Sequence, residues 1–332
     1  MKFHGLMVIR DEEDILPQSL AHLLSWLDGL YILDLGSTDS TWEIVEAFAR
    51  KDSRIVPFGK KPIIYTESLR CILFQEYRDR FRNGDWICKV DADEFYEITP
   101  PRFVREHLRA GETAVSLGWY YFRLTSTEVG DYERGLIDLF QDRKRPIEER
   151  RRFYKIPEYS EPRMFRYRDT MQWPETVAFP FNAGYMAREV IPIRHYPHRD
   201  PLQMSRRYNL RSLMMKVSHN GVGPPQWKLA DWRQDVIDID SAGNARERNE
   251  GLVGLGAAHN HTSGELREWV SGEPLPKISF KGHMSFAPKR AVQRVIHPAL
   301  LPVLDRLRKP MRADYAFPEV PDEITRQLCE SC

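Results

Sequence analysis

The sequence predicts an α/β fold with a mostly parallel central sheet and helices on both faces. Over the first third of the chain, apolar runs alternate with segments of helical period, in the order strand, helix, strand, helix, strand, helix, strand. Carboxylates stand at the ends of three of these strands, which is where parallel sheets bind ligands. The 332 residues are enough for one large domain with an appendage, or for two domains.

The strands and helices of the first third follow from periodicity and from end signals. Ser40 and Glu43 have the spacing of a capping box, and Asn83-Gly84 is a typical helix stop. The predicted strands are 6–9, 29–36, 54–59 and 85–93, and the predicted helices are 15–27, 40–51 and 67–82.

After residue 112 the pattern changes. The segments 113–124 and 185–197 have the character of strands, and a helix is expected to begin near Pro201. We therefore divide the chain into a first half of the α/β domain (1–112), a second half (113–218) and a helical or irregular C-terminal extension (219–332).

Charge and composition exclude several classes of protein. A formal charge of +1 argues against a nucleic-acid-binding protein that relies on a basic face. No apolar run approaches the roughly 20 residues that a transmembrane helix needs, and the N-terminus lacks the features of a signal peptide. We expect a cytoplasmic protein, in which Cys71 and Cys88 are small buried side chains.

Acidic residues mark the predicted strand ends. They are Asp11 to Glu13, Asp34, and the run from Asp91 to Glu94. In extended backbone, Asp91 and Asp93 point to the same side, whereas Glu94 points to the other. Two convergent carboxylates repel unless a cation is near, so we expect Mg²⁺ or Mn²⁺ beside them, shared with phosphate oxygens of a ligand.

Three motifs together carry a resemblance to a known family. "MVIRDEEDIL", "YILDLGSTDST" and "DWICKVDADEF" occur in this order over roughly residues 5–100. They resemble the nucleotide-sugar half of a family 2 glycosyltransferase with the GT-A fold, and more closely the bacterial subgroup whose metal motif reads "DADEF". The resemblance implies a metal-dependent, inverting transferase.

The resemblance also implies roles for individual residues. Asp39 is expected to cap the following helix rather than to bind the ligand. Leu35 stands where many relatives carry an acid or Asn, which leaves the base open, so the donor is a UDP-, GDP- or dTDP-sugar. The implied nucleotide-sugar-binding residues are Arg10, Glu12, Asp34, Arg70 (with Arg78 as a rival) and Asp91, and the implied metal ligands are Asp93 and His195 (with His198 as a rival).

An inverting transferase needs a general base on the side of the sugar opposite to the diphosphate. Glu175 lies between apolar and aromatic residues, where partial burial would raise the pKa of its carboxyl group. Glu161 and Asp169 are rivals for this role, because the usual "ED" pair of the family is absent.

The predicted function is transfer of a sugar to a hydroxyl acceptor, a glycan or a lipid-linked glycan, with peripheral membrane contact possible and no nucleic acid involved. One alternative is a sugar nucleotidyltransferase, which usually has a Gly-rich basic loop after the first strand. This chain has "RDEED" there instead. The other alternative is a noncatalytic nucleotide-sugar or glycan-binding protein on the same fold.

Overall fold

The computed structural model of the chain describes residues 1–63, 65–156, 160–174, 178–217, 231–239, 245–247 and 266–276. The helices are α1 Leu16–Leu24, α2 Thr41–Ala49, α3 Arg70–Glu76, α4 Pro100–Glu106, α5 Ser126–Glu133, α6 Leu139–Arg143, α7 Ile147–Arg150 and α8 Pro201–Val217. The strands are β1 Phe3–Ile9, β2 Gly29–Asp34, β3 Ile55–Lys60, β4 Trp86–Val90, β5 Glu94–Tyr96, β6 Ala114–Arg123, β7 Phe153–Lys155, β8 Ser160–Arg166, β9 Ile191–His195, β10 Ile237–Ile239, β11 Ala245–Glu247 and β12 Leu266–Glu268.

The chain divides into two compact units. As far as the structure describes these ranges, the first contains Met1–Gly118 and Tyr159–Ile193, and the second contains Trp119–Glu158 and Arg194–Ile278. Two of the boundaries fall inside β6 and β9. No helix of the described residues is long and apolar enough to cross a membrane.

The sheet of the first unit confirms the α/β class and the predicted order of elements. Strands β3, β2, β1 and β4 lie side by side and are all parallel. Beyond β4 the sheet becomes antiparallel, through β8 and then the first half of β6. The parallel part therefore covers the segment with strand and helix alternation. In the antiparallel part, β6 matches the predicted strand 113–124, whereas β8 was not predicted.

Burial explains the sequence of each parallel strand. Every residue of β1, β2 and β4 is buried, and these strands are mostly apolar because both faces of the sheet are covered. Strand β3 is only partly buried and contains Pro57. A proline cannot donate to a sheet ladder, and it is tolerated here because β3 is at the edge.

The predicted helix 67–82 is wrong in extent. The structure has a 3₁₀ turn at Glu67–Leu69, then α3, and then a second 3₁₀ turn at Arg78–Arg80. The backbone leaves α geometry at Tyr77, whose ring stacks on Tyr31 with centroids 4.4 Å apart. Packing on the sheet thus overrides a periodicity that would suit a longer helix.

The second unit is held by buried ion pairs between short helices. Asp200, just before α8, accepts a hydrogen bond from the Gln203 amide and pairs with Arg143 at 2.9 Å. Asp142 pairs with Arg150 at 2.8 Å, and both side chains are almost fully buried. The region 219–332, predicted to be helical or irregular, also contains the short strands β10, β11 and β12.

The start of α2 gives a first testable prediction. Ser40 is at the N-cap position but makes no side-chain cap bond, so the predicted capping box is wrong. Asp39 instead bonds the start of the helix: its Oδ1 accepts from the Thr41 amide and hydroxyl at 3.0 and 2.5 Å, and its Oδ2 accepts from the Glu13 amide at 3.2 Å.

We expect Asp39→Ala to lower the free energy of unfolding by about 1–2 kcal/mol, measured by urea denaturation. Ser40→Ala is the matched control and should change it little; an equal loss in both variants would contradict this assignment.

Candidate functional site

The carboxyl ends of β1, β2 and β4 meet at one edge of the sheet. Ile9 of β1 is opposite Asp34 of β2, and Met7 of β1 is opposite Val90 of β4. Because these strands are parallel, the segments that follow them all leave the sheet at the same edge. The predicted grouping of the acidic strand ends is therefore confirmed at the level of the backbone.

The loops after β1 and β2 are tied together by their own polar groups. Asp11 has a positive φ of 53°, unusual for a residue other than glycine, and its Oδ1 accepts from the Thr38 amide at 2.7 Å. The Asp11 amide donates to the Ser37 hydroxyl, and the Glu12 amide donates to the Thr41 hydroxyl. Much of the acidic character of "RDEED" therefore serves to fix these two loops against each other.

Arg10 and Asp34 hold the same two loops from within. Arg10 Nη1 donates to the Leu35 carbonyl at 2.9 Å. Asp34 is fully buried, and its Oδ1 accepts from the Gly36 and Ser37 amides at 2.8 and 2.7 Å. Burial raises the pKa of Asp34, and the bonds from Ser37 and Gly36 oppose that shift. Its Oδ2 is buried with no hydrogen-bond partner. Asp34 therefore acts on the turn through Oδ1 and is not exposed to a ligand.

Asp91, which follows β4, lies between two arginines. Its Oδ1 accepts from Arg70 Nη2 of α3, and its Oδ2 accepts from Arg163 Nη1 of β8 at 2.8 Å. The Arg70 side chain is fully buried and that of Arg163 is 7% exposed, whereas Asp91 is 24% exposed. Burial by itself would raise the pKa of Asp91. The Arg70 and Arg163 guanidiniums outweigh that effect, so the pKa is below its ordinary value.

Lys89 and Glu161 extend this charged cluster along β4 and β8. Lys89 is completely buried inside β4, and its Nζ donates to Glu161 Oε1 at 2.7 Å. Burial raises the pKa of Glu161, but Arg163 and Lys89 outweigh that effect and keep the pKa below its usual value. A carboxylate that two cations hold in the ionised form is a weak proton acceptor, which disfavours Glu161 as a general base.

Asp93 lies in the turn that leads into β5, and Glu94 is the first residue of that strand. Asp93 is 5% exposed, and it acts on the pKa of Asp91 as a neighbouring like charge. Glu94 is fully buried, and its Oε1 lies 3.5 Å from Arg163 Nη2. Glu94 is therefore a partner within the protein, and its direction relative to Asp93 stays a prediction.

His195 and His198 both belong to the second unit and have different surroundings. The His195 ring is half-buried, with its centroid 4.9 Å from that of Tyr121 and 6.2 Å from that of Trp119. His198 Nε2 lies 3.0 Å from Asp235, and burial lowers its pKa to about 4. His198 is thus a structural histidine, while the metal-binding role of His195 stays a prediction.

Two further predicted residues have different outcomes. Glu175 lies outside the described residues. Asp169 is exposed, and its amide donates to Asn83, which precedes β4. Asp169 therefore lies at the end of β4 opposite to Asp91.

Throughout the described ranges, there is no group of three or more His, Cys, Asp or Glu side chains that could hold a metal ion.

Sequence reasoning missed Arg163 and the partner of Lys89. Arg163 is one of many arginines in a charged stretch, and nothing in local periodicity separates it from solvated neighbours. Lys89 did carry a signal, since a lysine within a buried apolar strand requires an acidic partner. Its partner is 72 residues away in the sequence, so only the pairing of β4 with β8 identifies it.

No family model matches the chain. Over 98 residues it is 34% identical to a TPR repeat-containing protein of Synechococcus elongatus, and the match covers 26% of this chain and 19% of that protein. The chain thus spans about a fifth of the length of this relative.

Solved structures to which the chain is similar include a mannosyltransferase. The mannosyltransferase PcManGT of Pyrobaculum calidifontis, in complex with GDP-Man and Mn²⁺, has a TM-score of 0.37 and 13% identity, over 68% of this chain and 67% of that one. TarS of S. aureus has a TM-score of 0.30 and 13% identity, over 68% and 41% of the two chains. A mycobacterial protein has a TM-score of 0.25 and 23% identity, over 36% and 41%.

The ion pairs of Asp91 predict the effect of removing its charge. Asp91→Asn would leave the buried guanidiniums of Arg70 and Arg163 without their shared counter-charge. We expect the free energy of unfolding to fall by about 2 kcal/mol, measured by chemical denaturation. Asp52→Asn makes the same change in the more exposed pair with Arg54 and should cost much less. Equal losses of unfolding free energy in the two variants would show that burial of the Asp91 ion pairs does not determine their contribution to stability.

Proposed function

We propose that the chain is a metal-dependent, inverting glycosyltransferase that moves a sugar from a nucleoside-diphosphate sugar to a hydroxyl group of a glycan or glycolipid. The observation that carries this proposal is the charged cluster at the end of β4. Asp91, Asp93 and Arg70 lie at the ligand-binding edge of a parallel sheet, with both signs of charge held in place by buried neighbours. The motif resemblance of the first 100 residues supports the reaction class.

Arg70 is the residue that we assign to the diphosphate of the donor. A guanidinium offers several donors in a planar fork, which matches the geometry of phosphate oxygens. Arg70 is fully buried and ordered by Asp91, so a phosphate that reached it would bind a side chain that is already in place. We assign the nucleoside to the loops after β1 and β2, where Arg10 and Glu12 would lie beside it. Asp34 would act indirectly, by fixing the turn that follows β2.

A divalent cation, Mn²⁺ or Mg²⁺, fits this site as an ion shared with the ligand. Such ions commonly use one or two carboxylates and fill their remaining positions with phosphate oxygens and water. Both oxygens of Asp91 accept hydrogen bonds from arginines. We assign the ion to Asp93, as the motif resemblance implies, with His195 as a second proposed ligand. A bound ion would supply positive charge to the leaving diphosphate.

Glu175 is our proposed general base for the acceptor hydroxyl. Two arguments favour it over its rivals. The ionised state of Glu161 is stabilised by Lys89 and Arg163, and Asp169 lies at the opposite end of β4. The role of Glu175 depends on a raised pKa, which its apolar and aromatic sequence neighbours would provide.

Product analysis tests the reaction class. The protein is incubated with UDP-, GDP- and dTDP-sugars, Mn²⁺ and a mixture of glycan and glycolipid acceptors, and release of nucleoside diphosphate is measured. We expect acceptor-dependent release from one class of donor. Release of pyrophosphate from a nucleoside triphosphate and a sugar phosphate would instead identify a nucleotidyltransferase, and donor binding without turnover would identify a binding protein.

The metal assignment predicts the behaviour of an Asp93 variant. Asp93→Asn should weaken Mn²⁺-dependent binding of the donor by about tenfold or more, because one anionic ligand becomes neutral. Calorimetry with and without Mn²⁺ measures the effect. Asp79→Asn changes an exposed acid of the same unit and should bind as the unmodified protein does. Full Mn²⁺-dependent binding in Asp93→Asn would overturn the assignment of Asp93 as metal ligand.

A further inference from the structure

We propose that Arg163 is a positioning residue: it holds Asp91 in place, and Asp91 in turn fixes the buried guanidinium of Arg70 beside the site that we assign to the ligand. The inference rests on the proposed function only for the identity of that ligand, a nucleoside diphosphate. The arrangement of the three side chains is independent of it.

The backbone around Arg163 is built to direct this side chain. Strand β8 is antiparallel to β4, with Met164 opposite Cys88, which brings Arg163 level with the end of β4. On its other side, β8 pairs with β6, and the register shifts there: Met164 is opposite Val115, but Pro162 is opposite Ser116. Arg163 is therefore the extra residue of a β-bulge. Bulges redirect a side chain, and they also accommodate a proline within a sheet.

Arg163 connects three acids that come from different elements. Its Nη1 donates to Asp91 at 2.8 Å, its Nη2 lies 3.5 Å from Glu94, and its Nε lies 3.4 Å from Glu161. These acids follow β4, begin β5 and lie in β8, respectively. With 7% exposure and three acidic neighbours, Arg163 is fixed on several sides. This geometry supports the role of Arg163 as a fixed residue that holds Asp91.

Asp91 transmits that fixed position to Arg70. Arg163 bonds one carboxylate oxygen and Arg70 bonds the other, so the two arginines do not compete for the same atom. Rotation of the carboxylate would break both bonds together. Arg70 is the first residue of α3 and is fully buried, and its Nη1 also lies 3.4 Å from the Tyr65 hydroxyl. The carboxylate is therefore one of the groups that fix the position of this guanidinium.

The inference separates Arg163 from the residues that meet the ligand. In this arrangement, Arg70 contacts the phosphates, whereas Arg163 acts through Asp91. Its removal should thus have the same effect on binding as removal of the Asp91 charge. If Arg163 acted independently of Asp91, the two losses would instead add.

Calorimetric titration with UDP, GDP and dTDP in the presence of Mn²⁺ tests the coupling. We expect Arg163→Met and Asp91→Asn each to weaken binding of the preferred nucleotide by about tenfold, as substitutions behind a binding residue commonly do. The double variant should bind no more weakly than the weaker single variant. Arg163→Lys should recover most of the affinity, because it keeps a cation beside Asp91. Arg166→Met, on the same strand and exposed, is the matched control and should bind normally.

Thermal unfolding of each variant shows that the protein tested is folded, and Arg163→Gln replaces Arg163→Met if the latter does not fold. Unchanged affinity of the folded Arg163 variant, or additive losses in the double variant, would overturn the inference. If the unmodified protein binds none of the three nucleotides, the proposed function fails, but the positioning role is still decided by a second measurement.

That measurement is a crystal structure of the folded Arg163 variant without ligand. We expect the Asp91 carboxylate to rotate and its hydrogen bond to Arg70 to be lost. An Asp91–Arg70 pair that is unchanged in the variant would overturn the positioning role, whatever the nucleotide titrations show.

Discussion

The ion pairs of Asp91 are the interaction on which the strand-end region depends. One carboxylate joins α3 through Arg70 and β8 through Arg163, although these residues lie 21 and 72 positions away in the sequence. A buried charge is tolerated only when it is paired, so the Asp91 carboxylate stabilises both arginines, and Glu94 and Glu161 add to the pairing of Arg163. The requirement fixes the start of α3 and the β4–β8 pairing together. It also leaves Asp91, the most exposed of the three, at the surface of the site.

The sheet edge has two parts with different physical character. After β1 and β2, hydrogen bonds between the loops use most of the polar groups, and the Asp34 carboxylate is sealed beneath its own turn. After β4, two buried arginines hold the Asp91 carboxylate, which stays partly exposed. The first part provides a rigid boundary, and the second provides the charges that can respond to an anionic ligand. Preorganisation of this kind reduces the entropy that binding would otherwise cost.

Local sequence patterns predicted the features that depend on local physics. Periodicity located β1, β2, β4, α1 and α2, because both faces of a parallel sheet must be covered by apolar side chains. The position of Asp39 near a helix start correctly predicted its capping role. The features that were missed depend on contacts between distant segments. Arg163 acquires its position from a bulge in the β6–β8 pairing, and α3 ends early where Tyr77 packs on Tyr31. Neither contact has a signature within a single element.

The ion pairs also change the argument for a metal ion. From the sequence alone, the mutual repulsion of Asp91 and Asp93 was the reason to expect a cation between them. Arg70 and Arg163 already compensate Asp91, so a cation is not needed to stabilise that carboxylate. The remaining reason for a divalent ion is the charge that a diphosphate would bring to the site. A metal would then bind together with the donor and through Asp93, and the protein's own cations would keep the acidic motif folded in its absence.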